Sequence, residues 1–194
     1  MPLRWFRRAI AVLLAVGLTM LIPTPAHAIG EVYGPYLISD GVNCIDNPNS
    51  SLSNNTVMII YTCSGNSNQL WSNETAVTNS DYWISNAASG KCLTVSNPST
   101  AGNNTPIIQY SCNSGTNERW KYEQQQCPGG CAINNPWILN GVRYNFVGFF
   151  KIKTLLSGGR CITVKNASHT SGATLLQYDC SSPGANVWMQ YIRA

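Results

Sequence analysis

The stretch PIIQYSCNSGTNERW, residues 106–120, carries the pattern that decides the fold. A short apolar run leads into a tyrosine and Cys112, and Trp120 lies eight residues beyond that cysteine. The pattern recurs as VMIIYTCSGNSNQLW over 57–71 and as TLLQYDCSSPGANVW over 174–188. Because the tyrosine, cysteine and tryptophan keep the same spacing in all three stretches, the chain contains three copies of one unit.

Each copy also has an earlier cysteine, which precedes the second one by 19, 20 and 19 residues. An even number of cysteines in an exported chain indicates disulfides, and the repeat favours pairing within each unit. The expected bonds are Cys44–Cys63, Cys92–Cys112 and Cys161–Cys180. A closed loop of about 20 residues contributes roughly 3 kcal/mol in the chain-entropy model.

The units have the composition of β-structure. Short apolar runs are bounded by Gly, Asn, Ser and Pro, and no segment after the first 28 residues has a helical period. A single unit of this size cannot bury a core, whereas three around an axis can share one and hide most sheet edges. We therefore predict an all-β domain over 29–194, with units at about 35–75, 81–123 and 149–194, and with the tryptophans pointing inward.

The first 28 residues have the layout of a secretory signal peptide. Arg4, Arg7 and Arg8 precede an apolar stretch over 9–22, and Ala26-His27-Ala28 forms a small-x-small cleavage pattern. The apolar stretch is shorter than the ~18–20 residues that span a bilayer, although a retained anchor is the alternative. The pattern predicts a secreted protein.

Removing that segment leaves nine basic against eight acidic residues, so the remaining chain is almost neutral. Charged residues make up 10% of the chain, and hydrophobic residues reach 44%. This balance indicates a folded protein and argues against nucleic acid or anionic lipid as the main partner. Solubility then depends on amides and hydroxyls, which are also the groups that hydrogen-bond to sugar hydroxyls.

An insert at about 124–148 lies between the second and third units. It carries Cys127 and Cys131, which we expect to close a fourth disulfide across a tight turn. A redox pair or a zinc site is the alternative, but the spacing is not CxxC and no second ligand pair accompanies it. Three insert aromatics, Trp137, Tyr144 and Phe146, either pack beneath the domain or form a contact surface for a protein partner.

The combination of Cys, Tyr-x-Cys and Asn-Gln-x-Trp motifs over about 35–194 resembles the ricin-type β-trefoil lectins, and especially the sugar-binding modules of bacterial glycosidases. The resemblance implies a disulfide-stapled β-trefoil of about twelve strands, with one potential sugar pocket per unit. In that family, the pocket uses an aspartate two residues beyond the first cysteine, a tyrosine before the second cysteine, and an Asn-Gln pair.

Only unit one has the full set that the resemblance implies: Asp46, Tyr61, Asn68 and Gln69. Units two and three have Thr94 and Thr163 at the aspartate position, and threonine cannot make the charged contact with a sugar diol. Their weaker candidates are Tyr110, Asn117, Tyr178 and Asn186, with Glu118 and Val187 at the glutamine position. Other interpretations remain open: Asp46 as a turn residue, Gln69 bound to backbone groups, and the tyrosines packed beside the disulfides.

Catalysis is not expected. His169 is the single histidine of the domain and lies in a polar loop, and no pair of carboxylates suggests glycoside hydrolysis. No cofactor or metal is expected either. The chain is thus predicted to be a secreted, non-catalytic carbohydrate-binding protein for a galactose-type or xylan-type glycan. The alternative is a protein-interaction module, such as an inhibitor or a toxin delivery subunit, with degenerate sugar sites.

Overall fold

The structure is a computed structural model that describes residues 32–76, 80–126, 133, 135–181 and 187–194. The predicted Cys127–Cys131 bond and Asn186 lie outside these residues. The strands are β1 Val32–Ser39, β2 Asn43–Asp46, β3 Thr56–Val57, β4 Ile59–Thr62, β5 Trp71–Thr75, β6 Tyr82–Asn86, β7 Cys92–Val95, β8 Thr105–Tyr110, β9 Trp120–Gln125, β10 Trp137–Leu139, β11 Val142–Thr154, β12 Cys161–Val164, β13 Leu175–Tyr178 and β14 Trp188–Arg193.

Six of these strands, two from each unit, form a closed ring. β1 pairs with β5, β5 with β6, β6 with β9, β9 with β11, β11 with β14, and β14 returns to β1. All six pairings are antiparallel. Closing the ring removes the exposed edges that three separate units would present.

Three hairpins cap one end of this barrel, one from each unit. They are β2 with β4, β7 with β8, and β12 with β13. Contacts between the hairpins join them: β3 and β13 both pair with β8, and Ile59 bridges to Thr174. A six-stranded barrel capped by three hairpins is the β-trefoil arrangement that the sequence predicted.

The count of 14 strands exceeds the expected twelve by two short elements. The first, β3, is a two-residue strand that lies just before β4 and pairs with β8. The second, β10, belongs to the insert. Both additions leave the six-stranded ring and the three capping hairpins unchanged.

The three tryptophans build the core in equivalent ways. Trp71, Trp120 and Trp188 are all fully buried in one cluster. Each indole Nε1 donates to the carbonyl of the residue after its unit's first cysteine, at 3.0 Å to Ile45, 2.9 Å to Leu93 and 3.0 Å to Ile162. Because a buried N–H without an acceptor is costly, these bonds fix each tryptophan to its own hairpin.

The three disulfides predicted within the described residues are present: Cys44–Cys63, Cys92–Cys112 and Cys161–Cys180. Each joins the first strand of a capping hairpin to the cysteine just beyond the second strand, and the first cysteine pairs in register with the tyrosine two residues before the second cysteine. No helix within the described ranges is long and apolar enough to cross a membrane.

In the described part of the insert, β10 and the start of β11 form a further hairpin, separate from the three capping hairpins. Its two-residue turn is Asn140-Gly141, both with positive φ, as a tight hairpin turn requires. Tyr144 is fully buried, and Trp137 and Phe146 both pack edge-on against Tyr191. These three rings therefore pack beneath the domain, as one of the two interpretations expected.

Candidate functional site

A cleft of about 330 Å³ lies beside the first capping hairpin. We call it the unit-one cleft, and it is lined by Asp46, Pro48, Asn49, Ile59, Tyr61, Thr62, Ser64, Asn66, Asn68 and Gln69. It brings together all four residues that the sequence predicted for unit one. The sequence did not identify Asn49, Ser64 and Asn66, although polar residues close to the aspartate and the Asn-Gln pair could have pointed to them.

Asp46 ends β2 and is 4% exposed. Its Oδ2 accepts a hydrogen bond from Asn68 Nδ2 at 2.9 Å and another from Gln69 Nε2 at 2.8 Å. No hydrogen bond from the described residues reaches Oδ1. The carboxylate is thus held by two amides on one oxygen, and the other oxygen can accept bonds from a ligand.

Burial raises the pKa of the Asp46 carboxyl above its ordinary value, and the hydrogen bonds from Gln69 and Asn68 oppose that rise. The carboxylate accepts hydrogen bonds from two side-chain amides, and among the described residues no backbone N–H of its own turn donates to it. This geometry differs from that of an aspartate that caps its own turn.

Gln69 has no remaining hydrogen-bonding capacity. It is 1% exposed, and its Nε2 donates to Asp46 and to the Thr62 carbonyl at 3.0 Å. Its Oε1 accepts from Ser64 N at 2.7 Å, Ser64 Oγ at 3.1 Å and Gly65 N at 3.3 Å. Gln69 therefore fixes both the carboxylate and the loop after Cys63.

Asn68 and Tyr61 retain groups for a ligand. Asn68 Nδ2 donates to Asp46 and to the Asn47 carbonyl at 3.3 Å, while its Oδ1 accepts no hydrogen bond from the described residues. Tyr61 lies at the edge of the cleft and is 52% exposed. The cleft thus combines a fixed carboxylate, a half-buried amide oxygen and an accessible aromatic ring.

The insert supports this cleft from behind. Asn140 Nδ2 donates to the Ser64 carbonyl at 2.9 Å, and the Tyr144 hydroxyl donates to the Gly65 carbonyl at 3.4 Å. A Cβ on Gly65 would lie 2.8 Å from that hydroxyl, and Gly65 has a φ of +73°. The loop that lines the cleft therefore needs glycine at this position, both for its conformation and for space.

Unit two uses the same positions differently. Glu118 is fully buried, and its Oε2 accepts from Asn113 N at 2.7 Å, which matches the bond from Ser64 N to Gln69. Thr94 Oγ1 donates to the Cys92 carbonyl at 2.9 Å and lies 3.5 Å from Glu118 Oε1. Asn117 Nδ2 donates to the Val95 carbonyl at 3.1 Å. These polar groups therefore make their hydrogen bonds within the protein.

Unit three presents less of the predicted set. Thr163 and Tyr178 are both half-buried strand residues, in β12 and β13 respectively. Tyr110, the tyrosine of unit two, is exposed. A carboxylate fixed by two amides occurs at this position in unit one, while units two and three have threonine there.

Comparison with protein families shows a match to the description "ricin-type beta-trefoil lectin domain-like" over residues 39–110 and 74–137. These two segments cover the first two units and the start of the insert. No curated protein sequence matches the chain.

Similar solved structures share the fold. ThreeFoil, a designed three-fold symmetric protein, has a TM-score of 0.63 at 26% identity, over 82% of this chain and 99% of ThreeFoil. The Rhizoctonia solani agglutinin has a TM-score of 0.59 at 13% identity, over 83% and 95%. An exo-β-1,3-galactanase from Clostridium thermocellum has a TM-score of 0.63 at 20% identity over 83% of this chain, which spans 30% of the enzyme.

Proposed function

This chain belongs to the ricin-type β-trefoil lectin family, and on that premise we propose that it is a secreted, non-catalytic carbohydrate-binding protein. We place its sugar site in the unit-one cleft. The observation that carries the proposal is the Asp46 carboxylate, which two amides hold on one oxygen while the other accepts no hydrogen bond from the described residues.

A fixed carboxylate suits a sugar because neighbouring ring hydroxyls can both donate to it. Hydrogen bonds to an ionised acceptor are about twice as strong as those between neutral groups. Two amides already hold Asp46 in place, so binding does not require the side chain to become ordered at that moment. Tyr61 offers its face to the apolar C–H surface of a pyranose.

We assign different tasks to the Asn-Gln pair. Asn68 orients Asp46 through Nδ2 and accepts from a sugar hydroxyl through Oδ1. Gln69 is a positioning residue, because its amide hydrogens and its oxygen are all bonded to protein groups. This assignment follows the interpretation in which the glutamine satisfies buried groups.

A single cleft implies weak binding by one domain. One fixed carboxylate and one aromatic ring give a Kd of roughly millimolar to high micromolar. Useful affinity then needs clustered ligands or several copies of the protein, because linked sites raise the effective concentration. Polymeric glycans are therefore the natural targets.

Galactose-type and xylan-type glycans are the first to test. The galactanase that shares this fold over 30% of its chain acts on β-1,3-galactan by its name, and the cleft residues suit either class of sugar. A glycan array and binding to insoluble galactan and xylan would identify the ligand. The wild type should bind at least one glycan, Asp46→Ala should lose it, and Asp179→Asn should keep it. The absence of any glycan bound by the wild type would refute the proposal.

Secretion is tested separately. Expression of the full chain in a secreting host should release a protein whose first residue is Ile29, as read by N-terminal sequencing or intact mass. Retention in the membrane fraction with an intact first segment would support the anchor instead.

The second candidate function is a protein-interaction module, and the two threonines at the aspartate position favour it. The outer face of the insert hairpin carries Ile138, which is 63% exposed, and Val147, which is also exposed. A contact surface in the insert would use these side chains, since Trp137, Tyr144 and Phe146 pack inward. Recovery of a stable partner that competing sugars do not displace, and that Ile138→Ser abolishes, would favour this function.

A further inference from the structure

The barrel has a second cleft at the end opposite the capping hairpins. All six barrel strands contribute to its lining, through Tyr36, Tyr82, Phe150, Asn73, Tyr122 and Gln190, and Tyr33 of β1 and Ser80 complete it. We call it the barrel mouth. It shares no lining residue with the unit-one cleft.

The six residues occupy two sets of equivalent positions. Tyr36, Tyr82 and Phe150 each pair in register with the tryptophan of their own unit. Asn73, Tyr122 and Gln190 lie two residues beyond those tryptophans. The barrel mouth is therefore a layer on the three-fold axis, where the simplest expectation is an apolar plug.

Three side chains of this layer instead carry hydrogen-bonding groups. The Tyr122 hydroxyl donates to Asn73 Oδ1 at 2.8 Å. Gln190 is 5% exposed and its side chain lies near the Tyr122 hydroxyl, but no hydrogen bond of normal geometry satisfies its Nε2 among the described residues. An amide nitrogen has two hydrogens to donate, and a buried one without an acceptor costs about 1–3 kcal/mol. A ligand acceptor would remove that cost.

The walls of the mouth are aromatic and neutral. Tyr122 meets Tyr82 and Phe150 edge to face, with both centroid distances 5.6 Å. Burial raises the pKa of Tyr122 well above its usual range, against smaller opposing effects of Asn73 and Gln190, so the phenol stays protonated. No ionisable acid or base other than tyrosine lines the cleft.

The volume is about 420 Å³, within the range of small-molecule sites. Its phenol and amide hydrogens favour a ligand rich in acceptor oxygens, and its rings favour one with an apolar face. A neutral pyranose has both. A charged ligand would find no opposite charge in the lining.

We propose that the barrel mouth is a second carbohydrate subsite, which takes one neutral pyranose residue with Gln190 Nε2 donating to a ring or hydroxyl oxygen. It is independent of Asp46 and lies outside the three unit pockets.

The test follows the side-chain NH₂ signals of Gln190 and Asn68 by ¹H–¹⁵N NMR during titration with methyl β-galactoside, methyl β-xyloside and methyl β-glucoside. We expect at least one probe to shift the Gln190 signals in the wild type and equally in Asp46→Asn. Gln190→Leu should weaken binding at the mouth about three- to tenfold, read from the signals of neighbouring tyrosine rings. Tyr82→Ala serves the same purpose if Gln190→Leu does not fold.

The two sites give separate readouts. Shifts of Asn68 without shifts of Gln190 for every probe would overturn the barrel-mouth site and leave the unit-one proposal standing. Shifts of Gln190 that disappear in Asp46→Asn would also overturn it, because they would arise at the unit-one cleft. The absence of shifts at both signals would count against both proposals.

Discussion

Replacing Asp46 separates the structural from the binding function of its carboxylate. In Asp46→Ala, Gln69 Nε2 loses the acceptor 2.8 Å away and remains buried, which costs about 1–3 kcal/mol. Asn68 is half-buried and can turn to water instead. Burial raises the pKa of Asp46, so removing the charge recovers part of the loss. We expect a net loss of about 1–2 kcal/mol, or a fall in Tm of about 2–8 °C for a chain of this size.

In Asp46→Asn, the new side-chain oxygen can still accept both amides, so Tm should stay within about 2 °C of the wild type. The charge is lost, and bonds to two sugar hydroxyls weaken by about 1–2 kcal/mol in total, which is about 5- to 30-fold in Kd. The assays are thermal unfolding and calorimetric titration with the best glycan from the array.

Asp179→Asn is the matched control, because Asp179 is exposed and the amide oxygen can keep its two bonds from Ser181. It makes the same change in net charge outside the cleft. Wild-type affinity in Asp46→Asn would refute the argument for the carboxylate. A wild-type Tm in Asp46→Ala would refute the structural part.

Four further predictions follow from the same contacts. Acidification should weaken sugar binding at unit one, because the raised pKa of Asp46 means that it protonates at a higher pH than an ordinary carboxyl. The same protonation relieves the cost of burying the charge, so the free energy of unfolding of the wild type, measured relative to Asp46→Asn, should rise as the pH falls, and a fall would contradict this. Thr94→Asp should not create a sugar site, because the new carboxylate faces Glu118, whereas Thr94→Asp with Glu118→Gln should give binding that survives Asp46→Asn on the glycan array. Trp71→Phe, Trp120→Phe and Trp188→Phe should each cost about 2–4 kcal/mol in urea unfolding, and a difference of more than about 2 kcal/mol among them would contradict their equivalence. Asn140→Ala should weaken unit-one binding by about two- to fivefold with little change in Tm, because it frees the Ser64 carbonyl at an exposed position, and unchanged affinity would show that the insert does not support the cleft.

The repeat made most of the fold predictable. The same residues recur three times at nearly the same spacing, so the pairing of Cys92 with Cys112 and the burial of Trp120 could be inferred without any geometry. The tight turn at Asn140-Gly141 also has a local signal, since Asn-Gly between apolar residues favours a two-residue hairpin. Such features depend on short stretches of chain.

The residues of the candidate site could be predicted from the sequence, but their hydrogen-bond partners could not. Sequence alone placed Asp46, Tyr61, Asn68 and Gln69 together through the family motif. All hydrogen-bonding groups of Gln69 are occupied because the N–H groups of Ser64 and Gly65 point at its side-chain oxygen. Their direction is a property of the folded loop. The support from Asn140 depends on closing the ring, because β14 pairs with both β1 and β11 and so brings the insert beside the first unit.

The barrel mouth shows a different limit. The position two residues beyond each tryptophan is visible in the repeat, but it holds Asn73, Tyr122 and Gln190 in turn. Three unlike residues do not suggest a shared layer. Only the register of the six strands shows that they face one another across the axis.

The contact between the insert and the loop at Ser64 and Gly65 also bears on how such a protein can diversify. The segment after unit two reaches the pocket of unit one across 76 positions of sequence, through Asn140. Variation in the length or turn of that segment would reshape the wall of the unit-one cleft while Asp46, Tyr61, Asn68 and Gln69 stay the same. On the proposed function, two proteins with identical binding motifs but different inserts would differ in ligand preference, and grafting the insert alone tests this.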